Sequence, residues 1–182
     1  MKNVLKAAVC VALLASVSAH AETFDFSYTF GDGSIVTGSL EGSLVGDAVQ
    51  NISDIHAALN GIAFTGTLNA TGWDPSTSQF DLPATVSTSA AKNNFVFADA
   101  ADVASLNAGS FTNLFEMITN DPNANGVFAG NANVINGNSA FDLAPNGSWT
   151  LAPVPLPAGF LLFSSGLGLF GALRRRIAAR VA

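Results

Sequence analysis

The chain has 182 residues, seven basic and thirteen acidic, with only 11% charged residues and 49% hydrophobic ones. Its single cysteine and two histidines exclude a disulfide framework and a His/Cys metal centre, and its net charge of −6 argues against nucleic acid as a partner. All thirteen acids lie in residues 22–153, where Lys92 is the lone basic residue, so this stretch also lacks a patch to hold phosphates. Sparse acids of this kind serve first to keep an apolar exported domain soluble.

Residues 1–21 have the three parts of a secretory signal peptide. Lys2 and Lys6 form a basic start, an apolar run follows over 7–17, and Ala19-His20-Ala21 supplies the small residues of a cleavage site at Ala19 and Ala21. Cys10 falls near the start of the apolar run, away from the end where a lipid acceptor would stand.

From residue 22 the pattern has period two. Phe24, Phe26, Tyr28 and Phe30 face one way, against Thr23, Asp25, Ser27 and Thr29, which predicts a strand with one buried face. Asp32-Gly33 predicts a hairpin turn. Alternation resumes with Val36, Gly38, Leu40, Gly42 and Leu44, turns again at Gly46-Asp47, and continues through strands around 49–57 and 62–68. Further strands are expected at 79–82, 94–98, 126–129, 140–143 and 148–151, and loops at 71–78 and 131–138. Phe111, Leu114, Phe115 and Ile118 follow helical spacing behind Ser110, so a short helix or a buried irregular strand is expected over 110–119. About ten short strands with Gly-rich turns predict an all-β fold, an antiparallel β-sandwich, with a jelly roll as one form of it. Eleven phenylalanines would supply the core of this domain, residues 22–153.

Chemistry is scarce. His56 is the only histidine after the signal, no serine lies in a G-x-S-x-G turn, and no set of three or four metal ligands is apparent. The domain therefore reads as non-enzymatic. Asp121-Pro122-Asn123-Ala124-Asn125-Gly126 matches the opening of a calcium loop, with Asp121, Asn123 and Asn125 as candidate ligands, but Ala132 stands where the closing bidentate Glu belongs. Asp and Asn also favour ordinary turns. Calcium is thus an alternative and no cofactor is the primary expectation. A lectin-like polysaccharide-binding module, using calcium or the Trp73 loop, is one alternative function, and an exopolysaccharide hydrolase is another.

The chain closes with Val154-Pro155-Leu156-Pro157-Ala158, an uncharged apolar run, and Arg174-Arg175-Arg176. As a helix, residues 158–173 would span roughly 24 Å at ~1.5 Å per residue, close to a bilayer core. The arginines would stop transfer and leave the tip in the cytoplasm. This arrangement resembles the PEP-CTERM sorting signals, in their VPLPA variant, with Leu156 where the name-giving signal has Glu. The resemblance covers about the last thirty residues. It implies a surface protein of a Gram-negative bacterium, held at the inner membrane and then processed near the motif by an exosortase, a membrane-embedded enzyme. It also implies an association with exopolysaccharide and biofilm.

Overall fold

The computed structural model describes residues 21–105, 113–119, 121, 125–131, 138–145 and 148–155. The first strand, β1 (Glu22–Thr29), runs through the alternating aromatic stretch and turns at Asp32-Gly33 into β2 (Ile35–Val45). Gly33 takes a φ of 87°, and the Asp32 carboxylate accepts the Ser34 N–H at 2.8 Å, which is how this residue pair makes the turn. A second tight turn at Gly46 leads into β3 (Ala48–Leu59). Short β4 (Ile62–Ala63) folds back on β3, and β5 (Leu68–Asp74) follows. Beyond it come β6 (Gln79–Leu82), β7 (Val86–Ser87) and a 3-10 turn over Ala90–Lys92. Then come β8 (Asn94–Asp99), the six-residue helix α1 (Ala100–Ser105), β9 (Asn113–Ile118), β10 (Gly126–Asn131), β11 (Asn138–Asp142) and β12 (Thr150–Pro153).

All these pairings are antiparallel, and the main path runs β11-β10-β9-β8-β5-β3-β2-β1-β12. Neighbours in sequence are mostly neighbours in space, so the chain is a meander whose last described strand returns beside the first. The all-β, antiparallel expectation holds. The strands form one continuous sheet that curls into a half-barrel, where two separate sheets were expected.

The curl follows from the aromatic rings. Phe26 of β1 lies 5.5 Å from Phe97 of β8 and 5.9 Å from Phe115 of β9, although β2, β3 and β5 stand between those strands in the sheet. Only a sheet folded over on itself brings them together. Phe95 and Trp149 complete this cluster, at 5.8 Å from one another. Each full burial of such a ring stabilises the fold by about 1.5–3 kcal/mol, and the sheet has no disulfide to share the task. Phe26 fits because its partner across the ladder is Gly38: a Cβ there would overlap the ring and the His56 carbonyl. At the far rim, Asp142 of β11 accepts the Tyr28 hydroxyl at 2.7 Å and the Gly31 N–H at 3.1 Å, tying one arm of the curl to the other.

Two local expectations are corrected. Helical spacing at 110–119 gives way to a strand over its described part, the alternative already weighed: β9 lies between β8 and β10, and both its faces are covered. Phe115 and Met117 point into the main core. Leu114 joins Val96 and Ala98 in a second cluster on the outer face, under Phe80, Val103 and Phe128. A strand buried on both sides loses its period-two signature, and apolar residues then recur at any spacing. The expected loop at 71–78 is a strand as far as Asp74. Here the Asn94 side chain acts as a strand partner, accepting the Trp73 N–H and donating to the Trp73 carbonyl, both at 2.9 Å.

Candidate functional site

The first and last described strands meet at one end of the half-barrel. Strand β12 pairs with β1 from Ser27↔Thr150 to Phe24↔Pro153, and the Val154 N–H then donates to the Thr23 carbonyl at 2.8 Å. Ala21, the last residue of the expected cleavage site, is therefore a few residues of backbone from Val154, the first residue of the expected sorting motif. Sequence reasoning placed both as isolated signals, and the ladder brings them together. Ala19, Leu156, Pro157, Ala158 and Arg174–Arg176 lie outside the described residues.

Pro155 is the last described residue. A proline has no N–H to give a ladder and biases the residue before it towards extended backbone. Among the described residues, Val154 is thus the last whose amide the sheet engages.

The same end carries the tip of the β2–β3 hairpin. Glu22 is opposite Gly42, and β2 continues for three more residues, Ser43, Leu44 and Val45, before turning. Leu44 and Val45 are 43% and 55% exposed and, as successive strand residues, lie on opposite faces of the tip. The charge at the tip is compensated. Lys92 Nζ is 2.7 Å from Asp47 Oδ2, and this hydrogen bond and charge hold the Asp47 carboxyl below its usual range.

The calcium candidates are partly placed. Asp121 is buried, and its carboxylate accepts the Trp73 indole N–H at 2.8 Å. The Trp73 ring in turn stands edge-on to Phe80 with centroids 5.1 Å apart. Asn125 is exposed, and Asn123 lies outside the described residues. The structure gives Asp121 the task of fixing an indole, and among the described residues no group of three His, Cys, Asp or Glu side chains could hold a metal. His56 is exposed, its Nε2 3.2 Å from the exposed Asp54, and its partner across the β2–β3 ladder is Ser39.

One titratable residue escaped the sequence reading. Glu116 sits on the outer face of β9, opposite Val96 on β8 and Phe128 on β10, and burial among these side chains raises its carboxyl to about 7. The signal was present as a lone acid inside Leu-Phe-Glu-Met-Ile. Its meaning depended on strand neighbours that periodicity does not reveal. A half-protonated carboxyl can donate or accept a proton near neutrality, but catalysis needs a second group aimed at the same substrate atom. Glu116 is half-buried, and its ladder partners Val96 and Phe128 are both apolar.

The class defined by these features is a small antiparallel all-β protein with a dense aromatic interior and its first and last described strands paired. Comparison with protein-family models, with curated proteins and with solved structures gives no match in any of the three.

Proposed function

We propose that this is a non-enzymatic exported protein of the bacterial surface or extracellular matrix, associated with exopolysaccharide and biofilm. In this reading, residues 1–21 are removed as a signal peptide. Residues 158–173 cross the inner membrane, and an exosortase-type enzyme cuts at the Val-Pro-Leu-Pro-Ala motif. The half-barrel is the exported cargo, its two arms packed face to face as the sheets of a sandwich would be.

The observation that carries the reading is the hydrogen bond from Val154 to Thr23. It supports a sorting tail because the motif begins at the last described rung of the ladder, and its prolines have no N–H to extend that ladder, so that Leu156 and Pro157 would be open to an enzyme at the membrane. A permanent anchor needs only an apolar span and a basic stop, with no use for two prolines in front of them. Mass spectrometry of the protein recovered from the host surface tests this. The expected C-terminus lies near Pro157, and Pro157→Ala should retain the longer form in the membrane. Intact protein ending at Ala182, in cells that possess the sorting enzyme, would sink the proposal.

A polysaccharide-binding role through the Trp73 loop is less well supported. The indole N–H that a sugar hydroxyl would need is already engaged by Asp121. A hydrolase reading would have to rest on the exposed Asp54–His56 pair, which lies on the open surface of β3.

A further inference from the structure

The geometry points to the β2–β3 hairpin tip as a second membrane contact, seated at the headgroup–acyl boundary of the same bilayer that takes the tail. The inference rests on the tail reading above and adds a surface on the folded domain that reading does not require.

Its basis is a comparison of reach. From the level of Glu22 and Gly42, Ser43, Leu44 and Val45 carry the tip forward by ~10 Å at about 3.3 Å per strand residue. Val154 bonds to Thr23, so Pro155 leaves the sheet at nearly that same level. Three Cα–Cα steps then lead from Pro155 to Ala158, where the expected membrane span begins. Even fully extended they span at most about 10–11 Å. The tip therefore stands as far forward as the tail can carry the domain from its own apolar segment. With that segment in a bilayer, Leu44 and Val45 cannot be held clear of the surface.

The lateral spacing agrees. Strands β12, β1 and β2 are consecutive in the sheet, so the tail strand and β2 are separated by roughly 10 Å, two interstrand spacings. The chemistry of the tip suits a bilayer interface as well. Leu44 and Val45 present apolar side chains to both sides, and Val154 adds an exposed third at the departing strand. The one charged residue of the turn, Asp47, is paired with Lys92, the only basic residue of the domain. That pairing lowers the cost of bringing the turn to a low-dielectric boundary. Other acids at this end, Glu22 and Glu41, favour zwitterionic over anionic lipid.

Single cysteines in the full chain, with Cys10→Ser as background, provide the test. An environment-sensitive fluorophore is placed by Val45→Cys at the tip, by Ile62→Cys at the opposite end of the sheet, or by Leu167→Cys in the tail. Each protein is reconstituted into phosphatidylcholine vesicles containing nitroxide-labelled lipid. We expect strong quenching at 167 and severalfold more quenching at 45 than at 62. Quenching at 167 with equal, low quenching at 45 and 62 overturns the tip contact and leaves the tail reading standing. Quenching at 45 without quenching at 167 supports the tip while overturning the tail. No quenching at either position removes both.

Discussion

Glu116 shares its face of β9 with Leu114, and the ladder sets it between Val96 and Phe128. Its carboxyl is raised from 4.5 to about 7 because burial disfavours the charged form. The folded state thus holds this proton more tightly than the unfolded one, so stability falls as pH rises through the interval between those values. Above it, the buried charge costs on the order of 3–4 kcal/mol, since the shift is about 7 − 4.5 = 2.5 pK units and one unit is worth about 1.4 kcal/mol. Glu116→Gln keeps the shape and removes the charge. Thermal melting at pH 8 should show the variant higher by about 10 °C, at roughly 2–4 °C per kcal/mol for a chain of this size. At pH 5 the difference should shrink, because the wild-type carboxyl is then mostly protonated. An equal gap at both pH values would show that Glu116 is better solvated than its neighbours imply. Asp121 makes the opposite kind of contribution. Asp121→Ala leaves the Trp73 indole N–H without its acceptor and should cost about 1–3 kcal/mol. Asp121→Asn, which still accepts, should cost much less, and neither melting point should depend on added calcium. A calcium-dependent rise in the wild type, lost in Asp121→Asn, would restore the ion-binding reading.

At the scale of elements, β1 and β2 were legible because each has one buried face. Phe24, Phe26 and Tyr28 alternate with polar residues, and their partners Leu40, Gly38 and Val36 alternate in step. Period two is the direct projection of that geometry onto sequence. Strand β9 was ambiguous for the converse reason, since a strand covered on both sides has no polar face to alternate. Strand β5 was cut short by the loop-like Trp-Asp-Pro, although its last residues pair with β6 and Trp73 is also held by the Asn94 side chain. Helix α1 carried too little apolar periodicity in its six residues to be noticed. The glycine in the β2 alternation is a constraint as well as a gap. Gly38→Ala should destabilise by about 3 kcal/mol or more, since the new methyl meets the Phe26 ring and the rigid His56 backbone. Chemical denaturation checks this. A cost below 1 kcal/mol would mean that β1 and β2 can separate more easily than the packing suggests.

For the molecule as a whole, period-two alternation and turn residues disclosed the all-β, antiparallel class, but not the curl. Curling depends on which aromatic residue meets which across the interior, and Phe26 against Phe97 and Phe115 is invisible to any window along the chain. The candidate site was read as two separate motifs for the same reason. Only the β12–β1 ladder shows that Ala21 and Val154 are neighbours. Strand β12 is also part of the core, because Trp149 and Leu151 are buried with the phenylalanines. A chain shortened to end at Pro155 should therefore melt with the same cooperativity as the full chain, while one ending at Pro145 should lose its sharp transition. Calorimetry on the two truncations decides this. Cooperative melting of the shorter chain would make β12 an ornament of the sheet.

That ladder also sets a timetable. Ser27 must wait for Thr150, its partner more than a hundred residues later, so the half-barrel cannot finish until nearly the whole domain is available. Contacts this distant make folding slow. For a chain delivered amino end first, β1 spends that interval with one edge bare, its carbonyls and amides open to any passing strand. The strand that ends the exposure is the one leading directly into Val154 and Pro155. Completion of the fold and arrival of the motif are thus a single event in time.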